Sequence, residues 1–158
     1  MVHTASHAYR GIITWRGNNG SGTSAATAYD RKYDIAFEGK PVISGSSDPA
    51  FRGDPACHNP EELLVAAVSA CHMLWYLSLS AKAGIIVTAY EDHAEGIMEE
   101  SRDGGGHFTK VELRPVITLA AGTDPAAADA THHEAHEKCF IAQSVNFPIT
   151  VNAEYRFA

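Results

Sequence analysis

Between Asn59 and Gly84 the chain carries a segment that can fold in very few ways. Asn59-Pro60-Glu61-Glu62 has the grammar of a helix start: Asn59 caps, Pro60 suits the first helical position, and Glu62 completes a capping box. Two carboxylates in the first turn also favour the positive end of the helix dipole. From Leu63 to Ala83 the one formal charge is Lys82, and Gly84 is placed to end the helix. Apolar side chains lie almost all round this helix, which predicts burial. A membrane span is the alternative. Ser69, Cys71, His72, Ser78 and Ser80 interrupt the run, and its uncharged length is barely sufficient. The expectation is a buried central helix with the remaining chain packed around it.

That remaining chain reads mostly as strands. Tyr9–Trp15 and Thr27–Phe37 are rich in β-branched and aromatic residues, with the turn-forming Gly17-Asn18-Asn19-Gly20-Ser21-Gly22 between them. Asp30-Arg31-Lys32 offers a second reversal. Residues 39–58 read as an irregular connection. Ile85–Met98 and His107–Leu119 form a long hairpin about Ser101–Gly106, and Pro115 predicts an edge or a bulge. Asp124-Pro125 opens a second helix running to about Val145, and Pro148–Phe157 closes the chain as a strand. Helices do not alternate regularly with strands, so an α+β fold is favoured over a doubly wound sheet. Nothing marks a linker or a repeat, and a chain of 158 residues fits one domain over residues 1–158.

Charge narrows the function. Twelve basic against nineteen acidic residues give a net charge of −7, which argues against nucleic-acid and anionic-membrane partners. Three cysteines are too few, and odd in number, for a secreted disulfide scaffold. The opening MVHTASHAYR lacks an apolar stretch, so no secretory leader is expected and the cytoplasm is the predicted location.

Cys71 lies deep in the apolar helix and Cys139 in the second helix. From the residues alone each reads first as a small buried hydrophobe. Two cysteines on two packed helices can meet, but spacing does not show that they do. Cys57 reads as a free loop thiol with no role. Glu61 precedes Cys71 by ten residues, about 15 Å along a straight helix. If both serve one site, either a long side chain bridges them or a second copy of the helix supplies one. His132, His133 and His136 form an HHxxH pattern that places pairs on one helix face. A solvated face is the plainer reading, and no metal is expected. His3, His7, His58, His72, His93 and His107 are scattered without ligand spacing.

The run Asn59 to Cys71, NPEELLVAAVSAC, resembles the NPEEL…AAC block of the OsmC/Ohr family of thiol-dependent peroxidases. Cys139-Phe140-Ile141-Ala142-Gln143-Ser144-Val145 resembles the family's second cysteine segment. The order of strands and helices agrees over nearly the whole chain. The resemblance implies an OsmC-like fold, with antiparallel sheets around the buried helix, and an intertwined homodimer with sites at its interface. It implies that Cys71 reduces an organic hydroperoxide and becomes a sulfenic acid, that Cys139 closes a disulfide with it, and that an external dithiol, in the family often a lipoyl group, restores both thiols. No cofactor is implied. A thiol in apolar surroundings needs a nearby cation to ionise. The family uses an arginine held by the motif glutamate, whose place Glu61 matches. Arg52 in Phe51-Arg52-Gly53-Asp54 best resembles that arginine, ahead of Arg16 and Arg31. Phe140 replaces a proline common after the second cysteine, and His72-Met73 replace the usual phenylalanine after the first. A carrier of apolar ligands with the same fold, and a metal protein using the HHxxH residues, are the competing readings.

Overall fold

The structure, a computed structural model, describes residues 5–158. His3 therefore lies outside the described residues. The chain resolves into two compact units, one extending to Leu63 and the other Leu64–Ala158. The boundary falls in the first turn of the long helix.

In the first unit, β1 (Gly11–Trp15), β2 (Tyr33–Phe37) and β3 (Ile43–Gly45) form an antiparallel sheet in that order. Gly11 faces Phe37 and Trp15 faces Tyr33 across the first pair. The turn expected after β1 is present, and Asn18 organises it: its Oδ1 accepts from the amides of Gly20 at 2.9 Å and Gly22 at 3.0 Å. Gly17 is required here, because a Cβ would sit 1.7 Å from the Asp30 carbonyl oxygen. The strand expected from Thr27 begins only at Tyr33. Before it, Tyr29 pairs with Asn18 only as an isolated antiparallel bridge; the Asp30 amide donates to Gly17 O at 2.9 Å and Trp15 Nε1 to Asp30 O at 2.8 Å.

The long helix, α1, spans Pro60–Lys82. Its capping box forms as the sequence predicts: the Glu62 amide donates to Asn59 Oδ1 at 2.8 Å, and the Asn59 amide donates to Glu62 Oε2 at 3.2 Å. Gly84 follows the helix with φ 74°, the left-handed conformation that lets the chain turn away. Burial is concentrated on one stripe, Val68, His72, Tyr76, Leu79 and Ser80, at helical spacing. Leu74, on the other side, is 63% exposed. By length and composition α1 could cross a membrane. Its Tyr76 and Leu79, however, pack with Ile117, Leu119, Ala128 and Ala135 in the core of the second unit.

Each of the three strands expected in the second half of the chain is broken into two. β4 (Val87–Asp92) and β5 (Glu95–Glu100) derive from the first, β6 (Gly106–Leu113) and β7 (Pro115–Leu119) from the second, β8 (Ile149–Val151) and β9 (Glu154–Phe157) from the third. The halves assort into two sheets of order β4-β7-β9 and β5-β6-β8. Pro115 has no amide to give and stands at the break. There Asp92 Oδ1 accepts the Arg114 amide at 2.7 Å and bridges the first two strands. The antiparallel sheets expected for this half are in fact mixed, since β8 runs parallel to β6 and β9 parallel to β7. The fold class is nonetheless α+β. The second helix, α2, covers Pro125–Lys138, with Asp124 as its N-cap, and ends earlier than Val145. Cys139 is extended at ψ 109°, which stops the helix, and a short 3₁₀ turn, Ala142–Ser144, follows.

Candidate functional site

The two helices of the second unit bring two of the three cysteines together. Cys71 sits half-buried on α1, and Cys139 is fully buried at the C-cap of α2. Cys139 is thus the residue that ends α2, where the sequence suggested a position inside it. On α2 the buried positions Ala128, Thr131, His132 and Ala135 share one face, and Cys139 continues it one turn further. That stripe explains why its sulfur points inward. Burial, and next the interaction with the Cys71 thiol, push the Cys139 thiol up to about 11. The Ala142 amide approaches Cys139 Sγ at 3.4 Å and opposes that rise, because an N–H donor favours a thiolate. No disulfide joins the three cysteines.

An apolar wall flanks the sulfurs. Trp75, one turn beyond Cys71, meets Phe140, next to Cys139, edge to face with centroids 5.7 Å apart. Phe140 is 71% exposed, so this wall also faces outward. The substitution of phenylalanine for proline after the second cysteine therefore supplies a ring to the rim of the site.

His72 and His132 form the feature that the sequence reading missed. His72 Nε2 lies 2.9 Å from His132 Nδ1, the ring planes are 3° apart, and His132 stacks on Tyr76 with centroids at 4.0 Å. Burial, aided for His72 by the nearby His136, pulls His72 down to about 4. Burial and then His72 itself pull His132 down to about 3. Both rings are neutral at pH 7. The HHxxH residues consequently separate: His132 turns into the core, and His133 stays exposed with Glu137 Oε1 3.3 Å away. A solvated face is wrong for His132. Among the described residues, no group of three or more His, Cys, Asp or Glu side chains is placed to hold a metal ion. The signal available was the α2 stripe, in which His132 stands in register with Ala128, Ala135 and Cys139. A histidine beside Cys71 in the uncharged stretch of α1, residues 63–81, was the other.

The expected carboxylate and arginine lie in the first unit. Glu61 is half-buried, and its Oε2 has no hydrogen-bond partner among the described residues. Burial first, and then the Glu61 carboxylate, raise the Tyr33 phenol above its ordinary value. Arg52 ends the short turn Pro49–Phe51 with φ 67°, the one non-glycine residue among those described with positive φ. Asp48 builds this turn, its carboxylate accepting the Ala50 amide at 2.7 Å and its carbonyl the Gly53 amide at 3.0 Å. Gly53 has no room for a Cβ, which would stand 1.5 Å from the Ser47 carbonyl oxygen. Arg52 lines a polar cleft with Asp30, Arg31, Lys32, Ser46, Gly53 and Asp54. Its two rivals are engaged elsewhere. Arg16 pairs with Asp34 at 2.8 Å, while Arg31 donates to Tyr29 O at 2.7 Å and stacks over that ring. Among the described residues, Arg52 makes no ion pair within 4 Å.

Fold and thiols together define an α+β dithiol protein built on a long apolar helix. The chain belongs to the OsmC family, whose model, described as OsmC-like protein, matches residues 53–154. An OsmC-like protein of unknown function from Vibrio cholerae is 34% identical, with a TM-score of 0.83 over 94% of this chain and 99% of that one. Two organic hydroperoxide resistance proteins share the fold at lower identity. One from Legionella pneumophila is 16% identical, TM-score 0.63, over 95% of this chain and 98% of that one. OhrB of Bacillus subtilis is 19% identical, TM-score 0.59, over 94% and 98%. No curated protein matches the chain.

Proposed function

We propose that this protein is a thiol-dependent peroxidase that reduces organic hydroperoxides to alcohols. The observation that carries the reading is the meeting of Cys71 and Cys139 from two separate helices, one thiol half-exposed and the other buried. In the first step the Cys71 thiolate attacks the outer peroxide oxygen. The O–O bond breaks, the alkoxide takes a proton and leaves as the alcohol, and Cys71 becomes a sulfenic acid. Cys139 sulfur then attacks Cys71 sulfur, and the sulfenic hydroxyl leaves as water with the Cys139 proton. An external dithiol, with lipoyl proteins the favoured class, reduces the disulfide by two exchanges and restores both thiols. The Trp75–Phe140 wall favours an apolar peroxide over hydrogen peroxide.

Arg52 and Glu61 are the proposed activators of Cys71. Among the described residues, Glu61 Oε2 is buried without a hydrogen-bond partner and Arg52 makes no ion pair, Glu61 included; the proposal is that the two groups pair in the working enzyme. A homodimer is part of the proposal. Ile12 and Ile13 of β1 are 69% and 66% exposed, and the exposed side of α1 carries Leu74. Apolar surface of this kind favours cover by a second copy. We place the enzyme in the cytoplasm, where a dithiol pool keeps the pair reduced.

The test is direct. Cumene hydroperoxide added to reduced protein is expected to give a Cys71–Cys139 disulfide in the peptide mass spectrum. Replacement Cys71→Ser is expected to abolish turnover. Failure of the wild type to consume either cumene or tert-butyl hydroperoxide with any dithiol refutes the assignment.

A further inference from the structure

The residue after Cys71 faces a different way. Successive residues of a helix point about 100° apart, so Cys71 remains half-exposed while His72 enters the core at 1% exposure. There it meets His132 of α2, at 5% exposure. Among the described residues, this is the one side-chain hydrogen bond between nitrogen or oxygen atoms that joins the two cysteine-bearing helices. Its immediate surroundings are aromatic, with two carboxylates and a histidine around them. Tyr76 of α1 stacks on His132; Tyr90 and Asp92 face the cluster from β4; Tyr155 of β9 lies 6.4 Å from the His132 ring; His136 and Asp129 approach from α2. Tyr155 hydroxyl reaches Asp129 Oδ1 at 3.2 Å. Ser69 Oγ donates to Asp92 Oδ2 at 2.5 Å, which holds that carboxylate.

We propose that the His72–His132 hydrogen bond positions Cys139 for the disulfide-closing step. The inference rests on the peroxidase reading above. Apolar contacts between helices fix a distance but permit sliding and rotation. A hydrogen bond between two nearly parallel imidazoles fixes direction as well. Its location matters. His72 adjoins Cys71, and His132 lies two turns before Cys139 on the same face of α2. Cys139 itself stands where α2 has ended, with an extended backbone and the exposed Phe140 beyond it. Downstream, the Gln143 amide on the Cys139 carbonyl at 3.0 Å and the Ala142 amide on its sulfur at 3.4 Å hold the local turn, while the register of α2 against α1 comes from His132. Closure brings the two sulfurs to about 2.05 Å with a defined dihedral angle. In that step the S–S bond forms, the S–O bond of the sulfenic acid breaks, and water carries off the hydroxyl with the Cys139 proton. A misplacement of about 1 Å costs such a reaction on the order of a hundredfold.

Two double variants of the full chain separate positioning from mere packing. His72→Gln with His132→Asn sets amide groups where Nε2 and Nδ1 now meet and retains a bridge. His72→Leu with His132→Leu fills the core without one. Reduced protein receives one equivalent of cumene hydroperoxide; dimedone traps the sulfenic acid, and mass spectrometry follows closure of the disulfide. The leucine pair is expected to form the Cys71 sulfenic acid within about threefold of the wild-type rate. It is expected to close the disulfide at least about thirtyfold more slowly, with the dimedone adduct accumulating. The amide pair is expected to close it within about threefold of wild type. His132→Phe, which keeps the stack on Tyr76 without a nitrogen, serves the same comparison if the leucine pair does not fold. A variant without the bridge that closes as fast as wild type overturns this inference alone. An amide pair as slow as the leucine pair also overturns it. Wild-type protein that forms no disulfide overturns the peroxidase reading and this inference with it.

Discussion

The buried histidine pair makes the stability of this protein depend on pH in a window that can be stated in advance. In the unfolded chain both imidazoles titrate near 6.5; in the folded protein burial holds His72 down at about 4 and His132 at about 3. Above pH 6.5 both states carry neutral rings, and the pair is fully compatible with the core. Below it the unfolded chain binds two protons that the folded chain refuses. Stability is therefore lost as pH falls from 6.5 toward about 4 and 3. Each group contributes about 1.4 kcal/mol per pH unit within its window, so the pair gives a slope of roughly 2.7 kcal/mol per unit below pH 6. From pH 7 to pH 5 the loss comes to about 4 kcal/mol. For a chain of this length that corresponds to a fall in melting temperature of ~8–16 °C. Ordinary carboxylates titrate below this range, so the interval from pH 7 to 5 isolates the histidines. The assay is thermal unfolding at pH 7, 6 and 5 at constant ionic strength. The leucine pair His72→Leu/His132→Leu is the control: removing both partners together leaves no orphaned buried nitrogen. Its melting temperature is expected to fall by less than half as much between pH 7 and 5. An equally steep fall in both proteins refutes the argument, because the proton uptake then resides elsewhere.

The remaining predictions address the redox chemistry. Arg52→Gly is expected to relieve about 1 kcal/mol of left-handed strain at φ 67° and to raise the melting temperature slightly. It is also expected to slow peroxide attack on Cys71 roughly a hundredfold in stopped-flow oxidation; unchanged attack removes Arg52 from the site. Disulfide closure is expected to accelerate with pH from 7 upward and to level off near about 11, the range set by the buried Cys139 thiol. A flat profile in a quenched-flow measurement means that closure is limited by motion and not by ionisation.

What the sequence made legible was local. The capping box Asn59/Glu62, the length of α1 and its end at Gly84 are settled by residues within a turn of one another, and they form as read. The turn at Asn18 is legible for the same reason. Strand limits were less so. Ile85–Met98 looks continuous because its alternation runs through His93 and Ala94. The break depends on Asp92 accepting an amide from Arg114, twenty-two residues away. Nor does a run of alternating residues state its partner. The last strand pairs in parallel with β6 and then with β7 because the chain has already passed through α2, a topological fact absent from the strand itself.

The site shows the same division, with one instructive exception. Cys71 and Cys139 were readable as candidates because each stands in a recognisable block, but their proximity depends on how α2 lies against α1. His72 and His132, sixty residues apart, gave no block at all. Spacing drew attention instead to His132, His133 and His136 as a cluster on one helix, and that grouping concealed the division of labour within it. A helix turns each neighbour by about 100°, so His132 belongs with Ala128, Ala135 and Cys139 on the buried side, and His133 with Glu137 in solvent. Burial periodicity, unlike ligand spacing, marks His132 as a core residue in need of a polar partner. The one histidine of α1, set in its uncharged stretch over residues 63–81, is His72. A buried neutral pair of this kind retains a directional link where two leucines would pack as well. That difference is what the bridge-retaining and bridge-free variants measure in the rate at which the neighbouring cysteines close.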